Sequence, residues 1–161
     1  NTVTIDGENQ SEVWGAHRCG RRARPIRARL EKMADGTLSF TGAHNGYARL
    51  RGRPIHSRRI SWLHDICLVE DEIHGGRPHD VESRLHINPE LNVEHSDSHV
   101  TISCSDRIIL AVSPLPYSRI EIEKGWYCPE FGRQLTCNVL VQRHRAASLP
   151  FRLGWKFSIT T

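Results

Sequence analysis

The 161-residue sequence has little lysine and lacks any long apolar run. A helix that crosses a bilayer needs about 20 consecutive apolar residues, so the sequence predicts no membrane span. The hydrophobic fraction of 38% excludes a wholly disordered chain. A chain of this length forms one domain and buries roughly two thirds of its unfolded surface, so its core needs neither a metal nor a disulfide.

Cysteine motifs are also missing. The five cysteines are widely spaced, and no two of them form a C-x-x-C motif, which excludes a zinc knuckle or redox pair of that type. Cys104 and Cys137 fall on the inward side of predicted strands, so we expect buried structural thiols. An odd number of cysteines does not fit a complete disulfide framework, although a single disulfide bridge is compatible with an odd number.

The sequence contains no recognisable catalytic motif. It has neither a G-x-S-x-G nucleophile motif nor a glycine-rich phosphate loop. Ten histidines are present, but they form no H-x-H or H-E-x-x-H motif, and only His95 with His99 and His74 with His79 are near neighbours. A closed metal site needs about four ligands in one place. We therefore expect no catalytic residue and no metal ligand set within this chain.

The positive charge is almost entirely arginine and lies in the first part of the chain. Residues 1–64 carry 12 basic and 5 acidic side chains, whereas residues 65–161 carry 10 and 13. Arginine forks match carboxylate, sulfate or phosphate groups, which indicates an acidic partner; a solvated charged surface explains the composition equally well. The arginines at 18, 21, 22 and 24 stand in a strand pattern without aromatic platforms or a helix, so nucleic acid is not the expected partner.

Hydrophobic residues recur with period two along nearly the whole chain. Ile26, Ala28 and Leu30 alternate with charged residues, and Asp35-Gly36 marks a hairpin turn. No window of a dozen residues follows a helical period. Many short strands joined by Gly, Pro, Asp and Asn turns predict an all-β antiparallel sandwich with little or no helix. The predicted strands include 2–6, 26–30, 55–63, 66–73, 81–87, 91–94, 99–104, 107–112, 117–123, 135–142 and 151–159.

One set of aromatic and basic residues is typical of a carbohydrate site. Such sites present an aromatic plane to the sugar and forked donors to uronate or sulfate groups. The alternative is that the aromatic residues are ordinary sheet residues that pack against their neighbours. The candidate substrate-binding residues are Trp14, Arg22, His44, Tyr47, His56 and Arg58.

Two blocks of sequence resemble the heparinase II/III-like family of polysaccharide lyases. The first block comprises residues 1–15 and 21–25, and begins Asn-Thr-Val. The second contains Ala-His-Asn-Gly-Tyr at 43–47 and His-Ser-Arg at 56–58, followed by 68–73 and 84–89. The motifs are short, and their order and spacing over about ninety residues carry the resemblance. The resemblance implies an apolar or aromatic residue where this chain has His17.

The resemblance implies an α/α toroid followed by a C-terminal β-sandwich, with β-elimination of uronate polysaccharides in the cleft between them. It places the catalytic Asn, Tyr and His groups mostly upstream, and it assigns a divalent, zinc-like metal of the full-length protein to ligands that precede Asn1. Residues 1–161 are therefore expected to be a catalytically silent C-terminal domain of a longer bacterial protein from the periplasm or cell envelope. Its expected partners are an acidic polysaccharide and the toroid domain.

Three hypotheses for the chain itself remain open. It forms one wall of a lyase cleft, or it is a stand-alone carbohydrate-binding module, or it is a purely structural sandwich. Loss of glycan binding on removal of basic side chains separates the first two from the third.

Overall fold

A computed structural model of the chain describes residues 1–15, 18–96, 98–105, 107–116 and 118–160. Within them are twelve β-strands and no helix, which confirms the all-β prediction. No helix that is long and apolar enough to cross a membrane occurs in the described ranges. The strands are β1 (Thr2–Ile5), β2 (Pro25–Lys32), β3 (Leu38–His44), β4 (Ile55–Leu63), β5 (Ile66–His74), β6 (His79–His86), β7 (Asn92–His95), β8 (Val100–Cys104), β9 (Arg107–Leu115), β10 (Glu121–Glu130), β11 (Arg133–Ala147) and β12 (Phe151–Ile159).

The strands form two antiparallel sheets. A four-stranded sheet has the order β1-β6-β11-β10, and an eight-stranded sheet has the order β2-β3-β4-β5-β12-β9-β8-β7. The chain passes between the sheets at several points, including the short connection 75–78 from β5 to β6 and the connection 148–150 from β11 to β12. The sheets pack face to face as a sandwich.

The core lies between the sheets and follows from the period-two pattern. One cluster of buried residues joins Val3, Val81 and Ala147 of the small sheet to Ile73 and Leu153 of the large one. A second cluster joins Leu140 and Ile87 to Val100, Val112 and Trp155. Alternate residues of the strands that contribute to these clusters therefore face the other sheet, as a half-buried strand requires.

The outer face of the four-stranded sheet is covered by ion pairs. Val139 and Val141 are fully buried although they alternate with the core residue Leu140. Above them Arg143 contacts Glu82 and Glu123, with an Arg143 Nε to Glu82 Oε2 distance of 2.7 Å. The hydrocarbon parts of these long side chains shield the valines from water.

Two local predictions were wrong, and each has a physical reason. Cys104 is exposed, because it lies at the end of β8 next to the turn, beyond the part of the strand that is covered; Cys137 alone is buried as expected. All five cysteines are free. The strand predicted from the arginines at 18–24 is a loop, because a single bridge between Val13 and Cys19 is the only sheet pairing described there. The expectations at His17 and Tyr117 lie outside the described residues.

Several connections meet at one end of the sandwich, which we call the loop end. It comprises residues 6–15, 18–24, 45–54, 75–78 and 148–150, which follow or precede the strand ends at Ile5, His44, His74 and Ala147. Arg24 and Asn45 exchange hydrogen bonds, with the Arg24 amide donating to Asn45 Oδ1 at 2.9 Å. The loops therefore support one another.

Candidate functional site

Three of the six predicted binding residues lie in a polar cluster inside the sandwich, at its loop end. Cross-strand register places His44 opposite His56, and Arg58 opposite Asp71. Because directly opposed residues share a face, the side chains of β3, β4 and β5 meet on the side that faces the small sheet. His56 is 4% exposed and Asp71 is 1% exposed, whereas His44 is half-buried.

The two histidines and Asp71 form a directional chain of hydrogen bonds. The Gly46 amide donates to His44 Nδ1 at 3.2 Å, so the proton of neutral His44 resides on Nε2. His44 Nε2 lies 2.9 Å from His56 Nδ1, and His56 Nε2 lies 2.6 Å from Asp71 Oδ1. One backbone amide thus fixes both tautomers, and each imidazole donates toward the buried carboxylate.

Arg58 completes the cluster. Its Nε and Nη2 bind the two oxygens of Asp71 at 2.7 and 2.9 Å, a bidentate pair. Its Nη1 donates to the Asn1 carbonyl at 3.1 Å, which ties β4 to the residue before β1. Burial acts to raise the pKa of Asp71, but the hydrogen bonds from His56 and Arg58 outweigh it and keep that pKa below its usual value.

The environment keeps His44 neutral. Burial is the main cause, and the neighbouring His56 and the charge of Arg58 act in the same direction, so the pKa of His44 falls from 6.5 to about 4. The His44 and His56 rings meet edge to face, with centroids 4.9 Å apart. At neutral pH the imidazole of His44 is therefore a hydrogen-bonding group and not a cation.

Tyr47 lies beside the cluster and is fully buried. Its hydroxyl donates to the Val3 carbonyl of β1. Burial raises the pKa of Tyr47 to about 12. A proton donor in catalysis must reach the leaving oxygen of the substrate, and this buried hydroxyl is instead directed at the backbone. The geometry of Tyr47 is that of a group that anchors the 45–54 loop to the small sheet.

Trp14 and Arg22, in contrast, lie at the surface of the loop end. Trp14 is 69% exposed, and its ring lies against the backbone of Gly20, where an added Cβ would come within 2.5 Å of the ring. Arg21 pairs with Glu12 at 3.1 Å, whereas no carboxylate of the described residues lies within ion-pair distance of Arg22. An exposed aromatic plane and a free guanidinium are thus presented by one loop.

Sequence reasoning missed Asp71 and further arginines of the loop end. Asp71 was detectable, since it interrupts the inward apolar series of Val69 and Ile73 on β5. The exposed arginines at 24, 51, 53 and 77 come together only because the loops meet, and sequence spacing contains no signal for that. In the part of the chain that the structure describes, none of these four has a carboxylate partner within 4.0 Å.

A second surface with several arginines lies on the outer face of the eight-stranded sheet. A groove of about 640 Å³ contains Arg27, Arg59 and Arg152, but also Glu70 and Glu72. Arg152 is already paired with Glu72 at 2.9 Å. The groove therefore carries nearly balanced charge, whereas the loop end has eight arginines against the three acidic residues Asp6, Glu8 and Glu12.

Over the described ranges, no group of three or more His, Cys, Asp or Glu side chains is arranged to hold a metal ion. His44, His56 and Asp71 are close together, but their nitrogen and oxygen atoms bind one another. These three side chains are therefore engaged with one another.

The fold and this cluster can now be compared with known proteins. The model of the family described as heparinase II/III-like, C-terminal, matches residues 1–156. The chain belongs to this family. No curated protein sequence matches the chain.

Solved structures show the same fold at low sequence identity. Heparan sulfate lyase HepC from Pedobacter heparinus is similar with a TM-score of 0.76 and 15% identity, over 98% of this chain and 23% of that chain. A heparinase III with methylated lysines gives a TM-score of 0.71 at 13% identity, over 99% of this chain and 23% of that chain. The heparinase II/III-like chain thus spans about a quarter of the length of these proteins.

Proposed function

We propose that this heparinase II/III-like chain is the C-terminal domain of a polysaccharide lyase that cleaves a uronate-containing polysaccharide by β-elimination. Family membership over residues 1–156 is the observation that supports the proposal most directly. The structural relatives are described as heparan sulfate lyase and heparinase, and this chain covers 23% of each. The upstream toroid domain and the active centre belong to the remainder of the parent protein.

In this proposal the chain supplies a wall of the substrate cleft, and the wall is the loop end. Trp14 offers an aromatic plane and Arg22 a free guanidinium on one exposed loop. The loop end is preferred to the outer groove because arginines outnumber acidic residues there by eight to three, whereas Glu70 and Glu72 offset much of the positive charge in the groove.

The buried residues act indirectly. His56 and Arg58 are engaged with Asp71, and Tyr47 is engaged with Val3, so these side chains hold the strand ends from which the loops begin. Of the predicted binding residues in the cluster, His44 and Arg58 are half-buried and His56 is buried. We therefore assign direct sugar contact to Trp14 and Arg22, and positioning to the other four.

The chemistry divides accordingly between the two parts of the parent. β-Elimination needs a base beside the uronate, a group that neutralises its carboxylate, and an acid for the leaving oxygen. The loop end offers arginines for neutralisation. The base and the acid come from the rest of the protein, so the isolated chain binds polysaccharide without cleaving it.

Activity measurements test this division. The ultraviolet absorbance of unsaturated uronate products should appear with the parent protein and heparan-sulfate-type or alginate-type substrates, and not with the 161-residue chain. Turnover by the chain alone contradicts the proposed division. A parent protein that cleaves no uronate polysaccharide contradicts the lyase assignment.

Binding measurements test the wall. Trp14→Ala and Arg22→Ala should each weaken the binding of an acidic oligosaccharide about five- to tenfold, and the effect of Arg22→Ala should be larger at low salt because salt screens exposed charges. Trp126→Ala and Arg133→Ala are matched controls, because Trp126 is 61% exposed and both residues lie on the β10–β11 hairpin. Arg59→Ala tests the outer groove. If binding is lost only in Arg59→Ala, the outer groove and not the loop end is the substrate-binding wall. If no variant loses binding, the result supports a purely structural module.

A further inference from the structure

Two turns at the loop end are joined through their backbones. The Arg53 amide donates to the Leu50 carbonyl at 3.0 Å, which closes the first turn. The Gly76 amide donates to the Gly52 carbonyl at 3.0 Å, which fastens the second turn to the first. This contact brings Arg77 next to the segment that contains Arg51 and Arg53.

Glycine is required for this approach. Gly52 has a φ of +78°, and a Cβ at this position would lie 3.1 Å from the backbone nitrogen of Arg77. A Cβ on Gly75 would lie 2.8 Å from a methyl group of Leu149 and 3.2 Å from the Gly52 carbonyl oxygen. The backbones are therefore in contact, and the three arginines are held at one place on the surface.

Arg53 itself adopts a strained conformation. Its φ is +52°, in the left-handed region that non-glycine residues seldom occupy. A glycine would adopt this conformation without strain. Strain of this kind accumulates at functional sites, where the side chain matters more than the stability it costs.

The three arginines have no counter-charge of their own. All three are exposed, and no carboxylate in the described ranges lies within 4.0 Å of their guanidinium groups. Two acidic residues, Glu8 of the loop end and Asp80, which follows Arg77 in the chain, have other partners: Glu8 pairs with Arg49, and Asp80 accepts from the Ala146 amide at 2.8 Å. Like charges repel, so three exposed arginines on two adjoining turns favour an external anion.

We infer that Arg51, Arg53 and Arg77, held together by the Gly52–Gly76 contact, bind an anionic group of the polysaccharide. The inference rests on the proposed function and adds a second subsite to the wall that Trp14 and Arg22 form. The chemistry recognised is a sulfate ester or a uronate carboxylate, since guanidinium forks donate to either group in a bidentate manner.

Calorimetric titration of the 161-residue chain tests this subsite. The probes are a sulfated heparan-type octasaccharide, an oligogalacturonate that carries carboxylates alone, and a neutral maltooligosaccharide. Arg51→Ala, Arg77→Ala and Arg53→Gly should each weaken binding of an acidic probe about fivefold, and the triple variant should bind at least fiftyfold more weakly. Arg107→Ala and Arg133→Ala, at turns outside the loop end, should change binding less than twofold.

Arg53→Gly separates a binding role from a structural one. It removes strain together with charge, so it should weaken binding while the midpoint of thermal unfolding stays the same or rises. Loss of binding to the sulfated probe alone assigns the subsite to sulfate, and loss to both acidic probes assigns it to carboxylate as well.

Two outcomes overturn the inference. If the triple variant binds like the wild type while Trp14→Ala does not, the subsite is refuted and the proposed wall stands. If the wild-type chain binds neither acidic probe, the subsite is refuted, and the product absorbance of the parent protein decides separately whether it is a lyase.

Discussion

Replacing His44 with glutamine should remove a defined part of the pH dependence of folding. His44 is neutral in the folded chain, since its pKa is lowered from 6.5 to about 4. In the unfolded chain it takes up a proton below pH 6.5. The free energy of unfolding must therefore fall as pH decreases from 6.5 to 4. Above pH 6.5 the contribution of neutral His44 to this free energy is complete.

The magnitude follows from the same pKa. A lowering from 6.5 to about 4 corresponds to at most about 3.4 kcal/mol, at about 1.4 kcal/mol for each pH unit. His44 is only half-buried, so solvent screening reduces the expected loss to about 2 kcal/mol. Urea unfolding at several pH values between 7.5 and 4, followed by circular dichroism, gives the free energy of unfolding at each pH. Between these two pH values this free energy should fall by about 2 kcal/mol less in His44→Gln than in the wild type.

The control is His95→Gln, which removes an exposed histidine from the edge strand β7. Only the difference in slope matters, because glutamine also changes the hydrogen bonds with Gly46 and His56. Equal slopes in His44→Gln and the wild type would refute the assignment of His44 as a neutral link to His56.

Three further changes test the packing around the site. Asp71→Asn should lower the free energy of unfolding by about 3 kcal/mol at pH 7, because Arg58 loses its buried partner. Since folding lowers the pKa of Asp71, the contribution of Asp71 to stability should be lost as pH falls through that lowered pKa. Urea unfolding of the wild type and the variant near pH 7 and near pH 3 measures both effects. Gly154→Ala should cost about 3 kcal/mol in the same assay, because a Cβ there would lie 2.1 Å from the Val69 carbonyl oxygen of the neighbouring strand. Arg143→Ala should cost about 1–2 kcal/mol and increase binding of a hydrophobic dye, because it uncovers Val139 and Val141.

The fold was predictable because strand burial leaves a strong trace in sequence. In β6, the inward residues Val81 and Ser83 alternate with Glu82 and Arg84, and such a pattern allows little else than a half-buried strand. The boundaries were less accurate. β11 extends to Ala147, beyond the predicted end at Gln142, because pairing with β6 continues past a bulge between His144 and Ala147.

The site was predictable only in its individual residues. His44, His56 and Arg58 were recognised, but their pairing with Asp71 depends on the register of β3, β4 and β5, which no local pattern specifies. Sequence also cannot distinguish an arginine that is held by a carboxylate from one that is free. Arg58 and Arg22 therefore carried the same prediction, although one is bound to Asp71 and the other is exposed without a described acidic partner.

The buried cluster explains how one end of a β-sandwich can hold several long loops in place. An apolar contact between β4 and β5 would stabilise the sandwich as well as the Arg58–Asp71 pair does, because desolvation offsets much of the attraction between buried charges. An apolar contact has no direction, however, whereas the hydrogen bonds that run from Gly46 through His44 and His56 to Asp71 form in one register only. Any slip of β3 against β4 would leave a buried carboxylate or imidazole without a partner. The cluster thus contributes little net stability, but it fixes the position at which the 45–54 loop begins. That loop in turn positions the arginines that face solvent.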